Sequence, residues 1–149
     1  MQNTMIQAPH HVKQSGILPV LDLPCFVLDN GQRVISVEAI EQALCLTECG
    51  IRLTNAFLGQ SELRYFIHKD LAVALENPVC FFHKCEGSRV SRGYPVDIIP
   101  QACYAAVQAH ASGGLPRKQK KFADKAGELL LAFADLAVRG VKLREAVIV

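Results

Sequence analysis

The sequence predicts an α+β domain: two β-hairpins with short helices, followed by a C-terminal antiparallel helical hairpin. Three observations carry this reading. Asn30-Gly31 stands between two strand-like runs, and a second β-rich run surrounds the turn-like Glu86-Gly87-Ser88. Beyond Asp97, apolar residues recur at helical spacing on both sides of a Gly-Gly loop.

The 149 residues suit one domain with an ordinary core, and 50% hydrophobic with 20% charged residues is a globular composition. The formal charge of +2 is too small for a binder that relies on bulk positive charge. Nucleic-acid binding, if present, has to come from local clusters. No apolar run approaches the length of a membrane span, and the start "MQNTMIQAPHHVKQSG" lacks the apolar centre of a secretory signal. A cytoplasmic location and reduced thiols are therefore expected for Cys25, Cys45, Cys49, Cys80, Cys85 and Cys103.

Residues 1–15 are polar and without period, which reads as a flexible tail holding two solvated histidines, His10 and His11; residues 16–149 read as the single domain. Cys25 to Leu28 and Arg33 to Val37 are strand-like, and Asn30-Gly31 supplies the positive φ angles of a tight turn. Ser36 suits an N-cap for a helix through about Cys45, with Glu38 and Glu41 in its first turn. Gly50 marks a break. Leu53, Phe57 and Leu58 have helical spacing, Ser61 can cap the turn of Leu63 and Phe66, and a short helix around Leu71 to Leu75 stops at Asn77-Pro78.

Val79 to Lys84 and Arg89 to Tyr94 form the second predicted hairpin. Arg89 and Arg92 are three apart and share no strand face. Asp97 is a good N-cap for a helix that tolerates Pro100 in its first turn. Its stripe is Ile99, Ala102, Cys103, Ala106 and Ala109/His110, ended by Gly113-Gly114. The last helix runs from about Arg117 to Val138 with the stripe Phe122, Ala126, Leu129, Leu130, Phe133 and Leu136/Ala137, and Gly140 caps it. So short a loop makes the two helices antiparallel neighbours. "VKLREAVIV" reads as a last strand or a frayed end.

Few residues propose chemistry. Cys80, His83 and Cys85 mix zinc-ligand types, but the spacing is poor for a structural site, and Cys45 with Cys49 would have to complete it. No strained turn accompanies any cysteine as a nucleophile would require. "SGGLPRKQ" is not a phosphate loop, and Asp22, Asp29, Asp70 and Asp97 suit turns or caps. No enzyme activity, metal or cofactor is expected.

The basic cluster remains. Arg117, Lys118, Lys120 and Lys121 crowd a helix start, where the helix dipole disfavours cations. Asp124 and Glu128 lie at pairing distance along the helix from Lys120, Lys121 and Lys125, which is the solvated-face reading. The functional reading is a footprint for backbone phosphates or an acidic protein, joined by Arg89 and Arg92. Tyr65, Tyr94 and Tyr104 are too dispersed for a stacking platform.

Several segments resemble a C-terminal domain family of phage and prophage proteins, grouped with viral regulators built from modules such as KilA-N and Bro-N. They are Val27 to Val34, Asn55 to Leu58, Phe66-Ile67, Gly93 to Pro100, and Gly113 to Gln119. The resemblance covers most of residues 20–141. It implies an accessory or interaction role in transcription regulation or another DNA-linked process, with no established reaction. Relatives continue past the Gly-Val/Ile step into an apolar-acidic-Ala-Thr-Gly-Tyr segment, where this chain has "GVKLREAVIV". The partners implied are DNA through its phosphates or, alternatively, a host or phage protein or a second copy of the chain, with no membrane.

Overall fold

The computed structural model describes residues 9–18, 22–59, 62–82 and 90–138. Five strands close into a barrel: β1 (His10–Leu18), β2 (Leu23–Leu28), β3 (Arg33–Ser36), β4 (Val79–Phe82) and β5 (Val90–Pro95), in the order β1-β2-β3-β5-β4. All neighbours are antiparallel except β1 and β4, which run parallel through His10↔Phe81 and His11↔Phe82. An odd ring of strands cannot alternate direction throughout, so at least one parallel pair is required for closure.

Both predicted hairpins are present. In the first, Leu28 exchanges bonds with Gly31 and Gln32. Gly31 has φ +86°, whereas Asn30 does not have a positive φ. The turn is therefore a tight turn closed by one left-handed glycine, not the two-residue form that Asn-Gly predicts. In the second, Val79↔Gly93 through Phe82↔Val90 pair; its predicted turn, His83 to Arg89, lies outside the described residues.

The strand pleat sorts side chains onto two buried surfaces. Phe26, Leu28, Val34 and Phe81, with Val12 and Val79, fill the barrel. Leu18, Leu23, Cys25, Ile35 and Tyr94 face outward into the larger core under the helices. This double burial is why β2 reads as a continuous apolar run. Gly93 is needed inside: a Cβ there would lie 2.7 Å from the Ile35 carbonyl oxygen and 3.1 Å from the Phe81 ring.

Four short helices cross from β3 to β4: α1 (Val37–Ala43), α2 (Leu46–Cys49), α3 (Leu53–Leu58) and α4 (Lys69–Glu76), with a 3₁₀ turn at Glu62–Phe66. Ser36 caps α1 as expected, accepting the Ala39 N–H at 3.1 Å. His68 caps α4, its Nδ1 accepting from Leu71 at 3.2 Å. A 3₁₀ turn at Val96–Ile98 leads into α5 (Ile99–Ala111). Asp97 lies inside that turn, so it is not the predicted N-cap; the position falls to Ile98, without a side-chain bond. A further 3₁₀ turn, Arg117–Gln119, precedes α6 (Lys120–Val138). The stripe Ile99, Ala102, Cys103, Ala106 and Ala109 is buried, as are Phe122, Ala126, Phe133 and Leu136, while His110 and Ala137 are exposed. The two helices pack together as a C-terminal pair.

Residues 10–15, assigned to the tail from sequence, belong to β1. His10 and His11 keep solvent exposure but are held in place: His10, half-buried, has Nδ1 2.8 Å from Asp29 Oδ1, and the ring of the exposed His11 sits 5.3 Å from that of Phe82. Asp29 also accepts the His11 N–H at 3.1 Å. That backbone bond, then the His10 contact, holds the Asp29 carboxyl below its ordinary range. A carboxyl whose folded pKa is depressed stabilises the fold above its unfolded value, about 3.9, and loses that contribution as pH falls through the folded value. The thermal midpoint should therefore drop on acidification below about pH 4, and Asp29→Asn should flatten part of that dependence in a pH series of melting curves.

Candidate nucleic-acid interface

Pro116 has φ −60° and ends the loop from α5. Its carbonyl accepts the Gln119 N–H at 2.9 Å, which sets the 3₁₀ turn. The turn and the first residues of α6 divide by direction. Gln119, Phe122 and Ala123 point inward and are buried; Arg117, Lys118, Lys120 and Lys121 are all exposed. The four predicted cations thus form one surface. The buried Gln119 Oε1 has no hydrogen-bond partner among the described residues.

Acids answer part of the charge. Lys121 Nζ meets Glu48 Oε1 of α2 at 2.8 Å, and Lys120 meets Asp124 at 3.4 Å. Lys125 pairs with Glu128 at 3.3 Å. The Lys121 ammonium, then the Cys45 thiol, lowers the Glu48 pKa; the same carboxylate raises that of Lys121. Burial, then Glu48, raises the Cys45 thiol. Cys49 also reaches this surface, with Sγ 3.8 Å from the Lys118 carbonyl oxygen. No acid among the described residues pairs with Arg117 or Lys118. Both partners of the Lys121–Glu48 pair are more than half exposed, so water and salt compete for it, and so can a phosphate.

The hairpin arginines do not join this surface as described. Arg89 lies outside the described residues. Arg92 is exposed on the outer face of β5 and lines a different place, a cleft of about 110 Å³ shared with Glu41, Arg52, Glu76 and Tyr94. Glu41, expected as a first-turn acid of α1, is only 7% exposed. Its Oε2 accepts the Leu53 N–H at 2.9 Å and faces Arg52 Nε at 3.2 Å. It caps α3 from another helix. The sequence held a signal for this: Arg52, at the N-cap position, cannot accept a backbone N–H, so the acceptor had to come from elsewhere. Nothing local identified Glu41 or Glu48 as the partners.

The zinc candidates Cys80, His83 and Cys85 cannot be assembled, because His83 and Cys85 lie outside the described residues. Cys25, Cys45 and Cys103 are buried free thiols, and burial pushes Cys25 up to about 11 and Cys103 to about 12. At neutral pH both are protonated and poor nucleophiles. No described helix is long and apolar enough to cross a membrane. No protein-family model, curated protein or solved structure matches the chain.

Proposed function

We propose that this domain is a non-enzymatic accessory module of phage or prophage origin. In this reading it acts in transcription regulation or another DNA-linked process and contacts nucleic-acid backbone through the basic start of α6. The observation that carries the reading is the exposure of Arg117, Lys118, Lys120 and Lys121 on one surface, with Arg117 and Lys118 free of any acid among the described residues. Such cations neutralise phosphates without reading bases. The resemblance to the phage family supports the setting rather than the contact. A second reading, a protein-binding or self-associating module, has its own observation. Leu131 and Val138, seven apart on one face of α6, are 73% and 85% exposed. The apolar "AVIV" segment lies outside the described residues.

Salt separates the two. Three phosphate contacts give a log–log salt slope of roughly −2.7, a loss of about 40-fold in affinity between roughly 50 and 200 mM salt. Fluorescence anisotropy with random-sequence double-stranded DNA should show that loss, and single-stranded DNA a smaller one of about 18-fold, its slope per contact being about −0.7. Arg117→Gln/Lys118→Gln/Lys120→Gln should weaken binding while leaving Lys121–Glu48 intact. Absence of binding at low salt would reject the nucleic-acid reading and turn attention to the α6 face.

A further inference from the structure

The cleft that receives Arg92 brings charges together without satisfying all of them. It forms where the starts of α1 and α3, the end of α4 and β5 meet. One of its groups is fixed: Glu41, almost wholly buried, holds Arg52 through Nε at 3.2 Å. A guanidinium has five N–H donors, so that contact leaves the two terminal amino groups of Arg52 available, on a side chain that is 67% exposed. An arginine braced this way needs little further ordering to accept an oxyanion. Arg92 lines the same cleft, and no acid among the described residues pairs with it. Glu76 lines it too, exposed, and no described cation pairs with it. Between these charges the wall is formed by Val37, Leu53, Thr54, Pro78 and the Tyr94 ring. Tyr94 presents its ring and not its hydroxyl, which donates to the Leu75 carbonyl at 2.6 Å.

We propose that this cleft binds a small organic acid carrying a hydroxyl or ammonium group beside its carboxylate. The carboxylate faces Arg92 and the free side of Arg52. The neighbouring donor faces Glu76, and the carbon chain rests on Pro78 and Tyr94. Two acidic side chains in the lining disfavour a dianion such as a phosphate ester, because its second charge would lie close to them. The cleft, about 110 Å³ and open to solvent on one side, has room for a short-chain ligand. This site is separate from the basic surface of α6 and does not depend on nucleic-acid binding.

Saturation-transfer NMR on the full chain tests it with four related short-chain probes: 2-hydroxybutyrate, 2-aminobutyrate, butyrate and propylamine. Transfer to either of the first two is expected. Butyrate should bind about tenfold more weakly, the loss expected for one hydrogen bond to a charged group, and propylamine should not bind. Binding of only one of the two substituted acids supports the proposal and identifies its source. Arg92→Gln, a surface change whose fold is verified by its amide fingerprint, should abolish transfer. Glu76→Ala, which removes the acceptor altogether, should bring butyrate level with the substituted acids. No transfer to any probe, or unchanged binding by Arg92→Gln, would overturn the proposal.

Discussion

Phe122→Ala should cost about 3–5 kcal/mol of folding stability, the upper range for truncating a single core residue. Phe122 is fully buried, and its ring meets the edge of Phe57 at 5.5 Å and 86°. Phe57, on α3, is 1% exposed. The pair therefore joins the C-terminal helices to the short helices that cross from β3 to β4, and truncation leaves a cavity that neither side can close easily. Against a total stability of roughly 5–15 kcal/mol for a domain of this kind, the loss should move a urea midpoint far to the left. Leu131→Ala, at a residue 73% exposed on the same helix, should stay within about 0.5 kcal/mol and serves as the control. A double-mutant cycle with Phe57→Leu should return a coupling of about 0.5–1.5 kcal/mol. A Phe122→Ala loss below about 1 kcal/mol would contradict the packing of α6 on α3.

Glu41→Ala should cost about 1–3 kcal/mol, for a different reason. The Leu53 N–H is buried and has the Glu41 carboxylate as its acceptor. Removing it strands a donor at the start of α3 and releases Arg52 to solvent. Glu41→Gln keeps an amide oxygen for Leu53 and removes only the charge facing Arg52. Since Arg52 is largely exposed, the Gln variant should retain most of the stability. Denaturant titrations of both variants separate the cap from the ion pair. Equal losses would place the weight on the charge instead.

The contrast between these two sites shows what the sequence could convey. Phe122 stood in an apolar stripe at helical spacing, so its burial could be read directly. The same holds for Ile99 to Ala109, for the Ser36 cap and for both hairpins, each of which is written in consecutive residues. Glu41, Glu48 and Arg92 acquire their partners across the fold, and no local spacing encodes that. β1 is a further case. Its side chains alternate weakly and most are not buried, so it looks like tail. Its backbone ladder with β2, the short parallel contact with β4 and the His10–Asp29 bond hold it in place. Asp97 shows the opposite error. A good capping residue went unused because the preceding 3₁₀ turn had already carried the chain into the helix.

The parallel closure of β1 on β4 sets an order for synthesis. β1 leaves the ribosome before the other strands, and β2 and β3 can join it almost at once as a local meander. Its other edge has no neighbour until α1 to α4 and then β4 have been made. During that interval the nascent chain carries open strand edges at both β1 and β3, the kind of surface that recruits other chains. Ring closure is a long-range step that adds loop-closure entropy to a sheet otherwise built from near neighbours. Shortening the nascent chain before Val79 should leave a sticky meander, and restoring it through Pro95 should relieve that stickiness.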